Sequence, residues 1–314
     1  MPNNTNGGMA KHRKPVDIGL QCMVVFFVLL LLVGVGLVAY PTVADTWNRM
    51  HQSRAVATYI ETTDDMGKAE RERILAKAEE YNTQLLASAQ ANQSDRWMDA
   101  MHPSDETKQA YEDTLDITGT GIMGYVTIPK LETRLPIYHG TDDGVLQIAV
   151  GHLLGSSLPV GGEGSHTVVS GHTGLPSARL LTGLDELEPG DTFAFHVLDM
   201  TMTYQVYEIN VVLPDDFTKL NIQPGEDLAT LITCTPYGIN SHRLLVRGHR
   251  IANPTTPDET DYDKPQQTVA AVAVGCAALG VIAVCTIAVW HKRRRTERGH
   301  HIRMEESKGR RGRL

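Results

Sequence analysis

Two uninterrupted apolar runs constrain this chain more than any other feature in it. Residues 18–40 are 23 positions without a charge, with Gln21 the one strongly polar side chain, and residues 269–290 are 22 positions without a charge. Each exceeds the about 20 residues that a helix needs to cross the hydrocarbon core of a bilayer. The segment between them, 41–268, holds 228 residues, enough for one domain with a real core plus a helical extension.

Charge sorts with the runs. The formal net charge is −8, yet residues 1–17 carry three basic and one acidic side chain, residues 291–314 carry ten basic and three acidic, and the stretch between holds 16 Lys and Arg against 33 Asp and Glu. Basic tails outside two spans predict that both termini are cytoplasmic and that the acidic middle faces outward. That acidity argues against a nucleic-acid partner, because it leaves little room for a basic patch that neutralises several phosphates. A cleaved signal peptide is the alternative for 18–40, since Lys11, Arg13 and Lys14 form a basic n-region. The run is longer than a usual signal core and no A-x-A site directly follows it, although Val43, Ala44 and Asp45 come close; the expectation is an uncleaved anchor. The second span, 269–290, ends in His291-Lys292-Arg293-Arg294-Arg295 and reads as a stop-transfer helix with a basic collar.

Of the four cysteines, Cys22, Cys276 and Cys285 fall inside the predicted spans, and Cys234 is left alone in the exported segment. A structural intrachain disulfide is therefore ruled out for it. It is either an inert buried thiol or a nucleophile.

Along the exported segment, 41–93 is Ala-, Glu- and Gln-rich, with Ile74, Leu75, Ala78, Tyr81, Leu85 and Leu86 on one helical face, which predicts one or two helices. Residues 94–120 turn irregular around His102-Pro103-Ser104-Asp105 and Gly119-Thr120-Gly121 and are read as a loop or lid. From 121 to 251 the pattern is β: runs at 125–128, 134–138, 166–170, 192–197, 201–213, 228–233 and 243–251, with short helical turns expected at 145–150 and 180–184. About eight short strands predict a mainly β fold, a closed barrel. Residues 252–268, rich in Pro, Thr and Asp, are a linker.

Cys234 closes the apolar run Thr230-Leu231-Ile232-Thr233, where a buried strand emerges. Arg243 opens the next predicted strand, so a return loop sets the two side by side. An Arg there can favour a thiolate, steady an oxyanion or hold substrate; Arg247 and Arg250 are chemically equivalent choices. For a base, the exported segment offers His51, His102, His139, His152, His166, His172, His196, His242 and His249. His172 follows Val168-Val169-Ser170-Gly171 at a strand-to-loop corner, while His166 and His242 stay open as alternatives. The absence of any H-x-x-x-H or H-E-x-x-H pair speaks against a metal site.

The stretch Thr230 to Cys234 with Arg243, together with Ser170-Gly171-His172-Thr173-Gly174, resembles the signature of the sortase transpeptidases of Gram-positive bacteria. The resemblance runs through Gly121-Ile122-Met123-Gly124-Tyr125, Leu135-Pro136-Ile137-Tyr138-His139-Gly140, Ser157-Leu158-Pro159-Val160-Gly161-Gly162 and Arg247-Gly248-His249-Arg250, covering about residues 81–251. With the N-terminal extension and the C-terminal span, it is a resemblance to class C, the pilus-assembling sortases. It implies a closed eight-stranded sortase-type barrel with N-terminal helices and two transmembrane helices, with Cys234 as nucleophile, His172 as general acid and base, and Arg243 holding substrate or oxyanion. Class C members usually carry a lid with an Asp-Pro-aromatic motif whose acid faces the Arg and whose ring covers the Cys. The nearest match here is Asp95-Arg96-Trp97, with Arg in place of Pro; a charged helix end with one amphipathic Trp is the competing reading.

The resemblance further implies a membrane-anchored cysteine transpeptidase with its catalytic domain outside the cell and no cofactor or metal. It would cleave LPXTG-like sorting signals through a thioacyl-enzyme. Its partners would be pilins or surface proteins bearing that signal, an acceptor pilin lysine, and the lipid bilayer. The alternatives are a housekeeping sortase that joins proteins to cell-wall peptide, and a non-catalytic sortase-fold adaptor.

Overall fold

The computed structural model describes residues 18–256 together with 260, 262, 275, 279 and 280. The tails 1–17 and 291–314 lie outside the described residues, as do most of the predicted second span, 269–290, and the later part of the 252–268 linker.

Eight strands follow four N-terminal helices: β1 Ile122–Ile128, β2 Thr133–His139, β3 Val150–His152, β4 Ser165–Ser170, β5 Thr192–Val197, β6 Met200–Val212, β7 Asp227–Thr235 and β8 His242–Arg250. They close into a barrel in the order β1-β2-β3-β4-β7-β8-β6-β5, with β5 returning to β1. The expected closed eight-stranded barrel is thus present, and closure leaves no strand edge open to stray pairing. The β2–β3 and β4–β7 contacts are parallel and the others antiparallel. β5 alternates half-buried and buried positions, as a strand with one face on the core must. β7 is buried at six successive positions because both of its faces are covered. Ala229 and Leu231 point into the main core with Phe193, Phe195, Tyr204 and Val246. Ile232, on the opposite face, joins Trp97, Val168, Leu220 and Leu245 in a second cluster.

The helices are α1 Ile18–Asp65, α2 Lys68–Ala91, α3 Gln93–Met101 and α4 Asp105–Glu112, with a one-turn α5 at Asp143–Leu146 after β2. The boundary expected at residue 40 is not a break: α1 is one helix of 48 residues that continues through Pro41. A proline there removes a single backbone donor, and the rest of the ladder carries the helix on. Within it, residues 29–65 contain the one described helix long and apolar enough to cross a membrane. From Asp45 onward α1 packs on the barrel. Val56 and Tyr59 are fully buried, the Tyr59 hydroxyl donates to the Met123 carbonyl at 3.0 Å and accepts from the Leu198 amide at 2.9 Å, and Gln52 donates to the Ile148 carbonyl. α2 lays the predicted Ile74, Leu75, Ala78 and Tyr81 face on the core. Asn82 pins it there by taking both backbone groups of Leu158, at 2.7 and 3.1 Å.

Residues 94–112, expected to be an irregular loop, are mostly helical. Asn92 caps α3 by accepting from the Ser94 amide, and Ser104 caps α4 by accepting from the Thr107 amide. The Pro103 break separates two short helices instead of marking a loop, and Asp105 and Glu106 in the first turn of α4 suit the positive end of its dipole. Two smaller differences concern the short helix expected at 145–150, which is the turn α5 at Asp143–Leu146 with β3 starting at Val150, and the helical turn expected at 180–184, which is a single 3-10 turn at Leu184–Glu186.

Candidate active site

Side chains directly opposite one another in an antiparallel pair share a face of the sheet. In the β7–β8 register Cys234 faces Arg243, and two positions earlier Ile232 faces Leu245. Period-two alternation puts Cys234 and Arg243 on the same face as Ile232 and Leu245, the face covered by Trp97 and Leu220. The pair therefore sits at the end of an apolar strip and opens into a cavity of about 270 Å³.

His172 lines the same cavity, and its corner is fixed by three hydrogen bonds, two between backbone groups and one from a side chain. The Gly171 amide donates to the Ile232 carbonyl at 3.0 Å, Thr233 Oγ1 donates to the Gly171 carbonyl at 2.8 Å, and the Leu181 amide donates to the His172 carbonyl at 3.1 Å. Gly171 is required by space: a Cβ there would lie 2.8 Å from Val150 Cγ1 and 2.9 Å from Leu181 Cγ. The chain thus bends off β4 hard against β7, and the next residue faces the cavity that holds Cys234.

The structure brings together Cys234, His172 and Arg243, all three half-buried. No hydrogen bond joins His172 to Cys234 here, and the Arg243 guanidinium donates to the carbonyls of Asn240, at 3.3 Å, and His242, at 3.1 Å. The competing residues lie elsewhere. His166 is fully buried, with Nδ1 donating to the Asn221 carbonyl and Nε2 accepting from Thr230 Oγ1; burial, with Arg247 and Arg96 nearby, pushes its pKa down to about 4. His242 bonds Ser241 and is not in the cavity wall. Arg247 is buried against Glu208 and over Tyr207, and Arg250 lies over Tyr204 and donates to the Thr201 carbonyl.

The expected lid contacts are not made. Asp95 is exposed and forms no ion pair with Arg243, and neither it nor Trp97 lines the Cys234 cavity. Residues 93–101 form a helix, so Arg96 and Trp97 turn to the barrel while Asp95 turns to solvent. Trp97 is 5% exposed, and its Nε1 donates to Asn221 Oδ1 at 3.1 Å. Arg96 lies over the Trp97 ring and donates to the Gly155 carbonyl at 2.9 Å. With an Arg between acid and aromatic, the segment keeps helical φ and ψ, and its middle residue is buried as an anchor.

The β6–β7 connection supplies the wall that sequence reasoning missed: Leu213, Pro214, Asp216, Phe217 and Leu220. Nothing in its composition marks it, since it reaches Cys234 through barrel topology alone.

Comparison with known proteins agrees with the fold. The Sortase domain family matches residues 126–251. The crystal structure of sortase C1 from Streptococcus agalactiae is 45% identical with a TM-score of 0.59, over 64% of this chain and 100% of that one. Sortase C from Clostridium perfringens, solved with the C-terminal cell wall sorting motif, is 36% identical with a TM-score of 0.54, over 64% of this chain and 100% of that one. Sortase D of Bacillus subtilis is 33% identical over 131 residues, which are 41% of this chain and 63% of that protein. The chain spans less than two thirds of the length of the curated relatives it matches. It belongs to the sortase family, and its structural neighbours are class C sortases.

Proposed function

We propose that the chain is a membrane-anchored cysteine transpeptidase that cleaves LPXTG-like sorting signals and joins pilin subunits through isopeptide bonds. The observation that carries this reading is the cross-strand pair Cys234 and Arg243 opening into one cavity with His172. The class C neighbours support the pilus role, and the sorting motif bound by one of them supports the substrate class.

In this reading the Cys234 thiolate attacks the carbonyl of the sorting signal, and the Arg243 fork, released from the two loop carbonyls, donates to the oxygen as it gains charge. His172 protonates the leaving amine, the C–N bond breaks, and a thioester remains on Cys234. A lysyl amine of the next pilin resolves it; water in its place gives hydrolysis. The apolar part of α1 holds the barrel at the membrane, where substrates carrying their own spans arrive, with the barrel on the extracellular face and both termini cytoplasmic.

The test is to incubate the full chain in detergent with a peptide bearing an LPXTG-like signal and to identify the adduct by mass spectrometry. The expected result is an acyl group on Cys234 that transfers to a lysyl amine. An unmodified Cys234 with an intact peptide removes the reading.

A further inference from the structure

Asp216 stands in the wall of the same cavity as Cys234, His172 and Arg243, and among the described residues it is the one acidic member of that wall. Its Oδ1 accepts from the Thr218 amide at 3.0 Å and from Thr218 Oγ1 at 2.6 Å. Both bonds favour the ionised carboxylate and hold it below its usual range. Oδ2 has no hydrogen bond or ion pair among the described residues. The nearby cations are engaged elsewhere: Lys219 with Glu208 at 2.6 Å, and Arg243 with the carbonyls of Asn240 and His242.

The rest of that connection's contribution to the wall, Leu213, Pro214, Phe217 and Leu220, is apolar. An ionised group with a free oxygen in the wall of a cavity that also holds a thiol nucleophile gives no advantage to an apolar donor segment, but it attracts a cation and fixes its direction. Transpeptidation has one reactant that arrives as a cation, the primary ammonium of the acceptor.

We infer that Asp216 receives the ammonium of the acceptor side chain and directs its nitrogen at the Cys234 thioester, which makes Asp216 the residue that selects an amine over water. The inference rests on the transpeptidase reading. The ammonium first gives up one proton to His172 and becomes a neutral amine. Its lone pair forms the C–N bond to the thioester carbonyl, the C–S bond breaks, and sulfur leaves as thiolate. The second nitrogen proton ends on that thiolate, so the products are the amide, the Cys234 thiol and the proton held by His172. Asp216 accepts hydrogen bonds throughout and is not consumed.

The experiment uses the full chain in detergent, a sorting-signal peptide as donor, and two acceptors: a lysyl peptide, cationic at neutral pH, and hydroxylamine, which is uncharged there. The readout is the ratio of their kcat/KM values. In Asp216→Asn that ratio is expected to fall by about tenfold, the size of one lost charge-assisted hydrogen bond, through a higher KM for the lysyl peptide. Asp216→Glu should recover most of it. An unchanged ratio overturns the assignment, and so does an equal loss for both acceptors, which would make Asp216 only part of the wall. If the wild type forms no thioester, the transpeptidase reading fails first and takes the inference with it; thioester formation with an unmoved ratio sinks the inference alone.

Discussion

Trp97 and Phe217 stack with ring centroids 5.0 Å apart and planes inclined by 22°. Phe217 lines the Cys234 cavity and Trp97 does not, so α3 braces the cavity wall from behind. Gln93 and Arg96 add to the brace by donating to the carbonyls of Ile222 and Leu220.

Trp97→Ala should therefore cost roughly 3–5 kcal/mol of stability, as large-to-small changes in packed clusters do, and raise KM for the sorting peptide more than it lowers kcat. Trp97→Phe keeps the stack and loses the bond to Asn221, a cost of about 1 kcal/mol. Urea melts and steady-state kinetics check both. Asp95→Ala should leave the alkylation rate of Cys234 unchanged; a faster rate would mean that Asp95 does guard the thiol.

Arg243→Lys keeps the charge but loses the planar fork, and turnover should drop roughly 100-fold. Arg247→Lys should act on stability instead, since Arg247 is buried against Glu208. Paired measurements of kcat and melting temperature separate the two, and the opposite pattern would show that the wrong arginine faces the substrate.

Gly171→Ala drives a methyl group into Val150 and Leu181. The expected cost is about 1–3 kcal/mol, together with a displaced His172 and slower thioester formation in a protein that still folds. Wild-type acylation kinetics would contradict the argument that Gly171 sets the corner.

His152 and His166 should make the barrel acid-sensitive. His152 is fully buried, with Nε2 donating to the Ser157 carbonyl and Nδ1 accepting from the Tyr111 hydroxyl. Burial pushes both histidines from 6.5 to about 4. Between those values the unfolded chain binds protons that the folded chain refuses. Their contribution is complete above about pH 6.5 and drains away as pH falls towards 4, by about 1 kcal/mol per pH unit for each residue. A melting temperature that stays flat from pH 7 to pH 5 would contradict it.

The sequence made some of this legible for identifiable reasons. Thr230 to Cys234 carries enough apolar character to mark a buried strand, and a short return loop leaves Arg243 little choice of neighbour; the register confirms the pair. α3 and α4 were hidden by Pro103 and the polar residues around it, although Asn92 and Ser104 are ordinary caps that a search for helix starts would find. β3, three residues long, is too short to show a period. Asp216 and Phe217 left no trace, because their nearness to Cys234 comes from β6 and β7 lying on either side of β8 in the closed barrel, a long-range fact with no local pattern.

The docking of α1 has a practical consequence for making the domain in soluble form. Arg179, seven residues after His172, has its amide held by Asp45 Oδ1 at 2.7 Å, and the Ser177 carbonyl accepts from Asn48 Nδ2 at 2.8 Å. A recombinant fragment trimmed to the strands would delete these clamps and free the stretch that follows the imidazole. The functional amino-terminal boundary of the soluble domain therefore falls before Asp45, within the same helix whose apolar part would be removed for solubility.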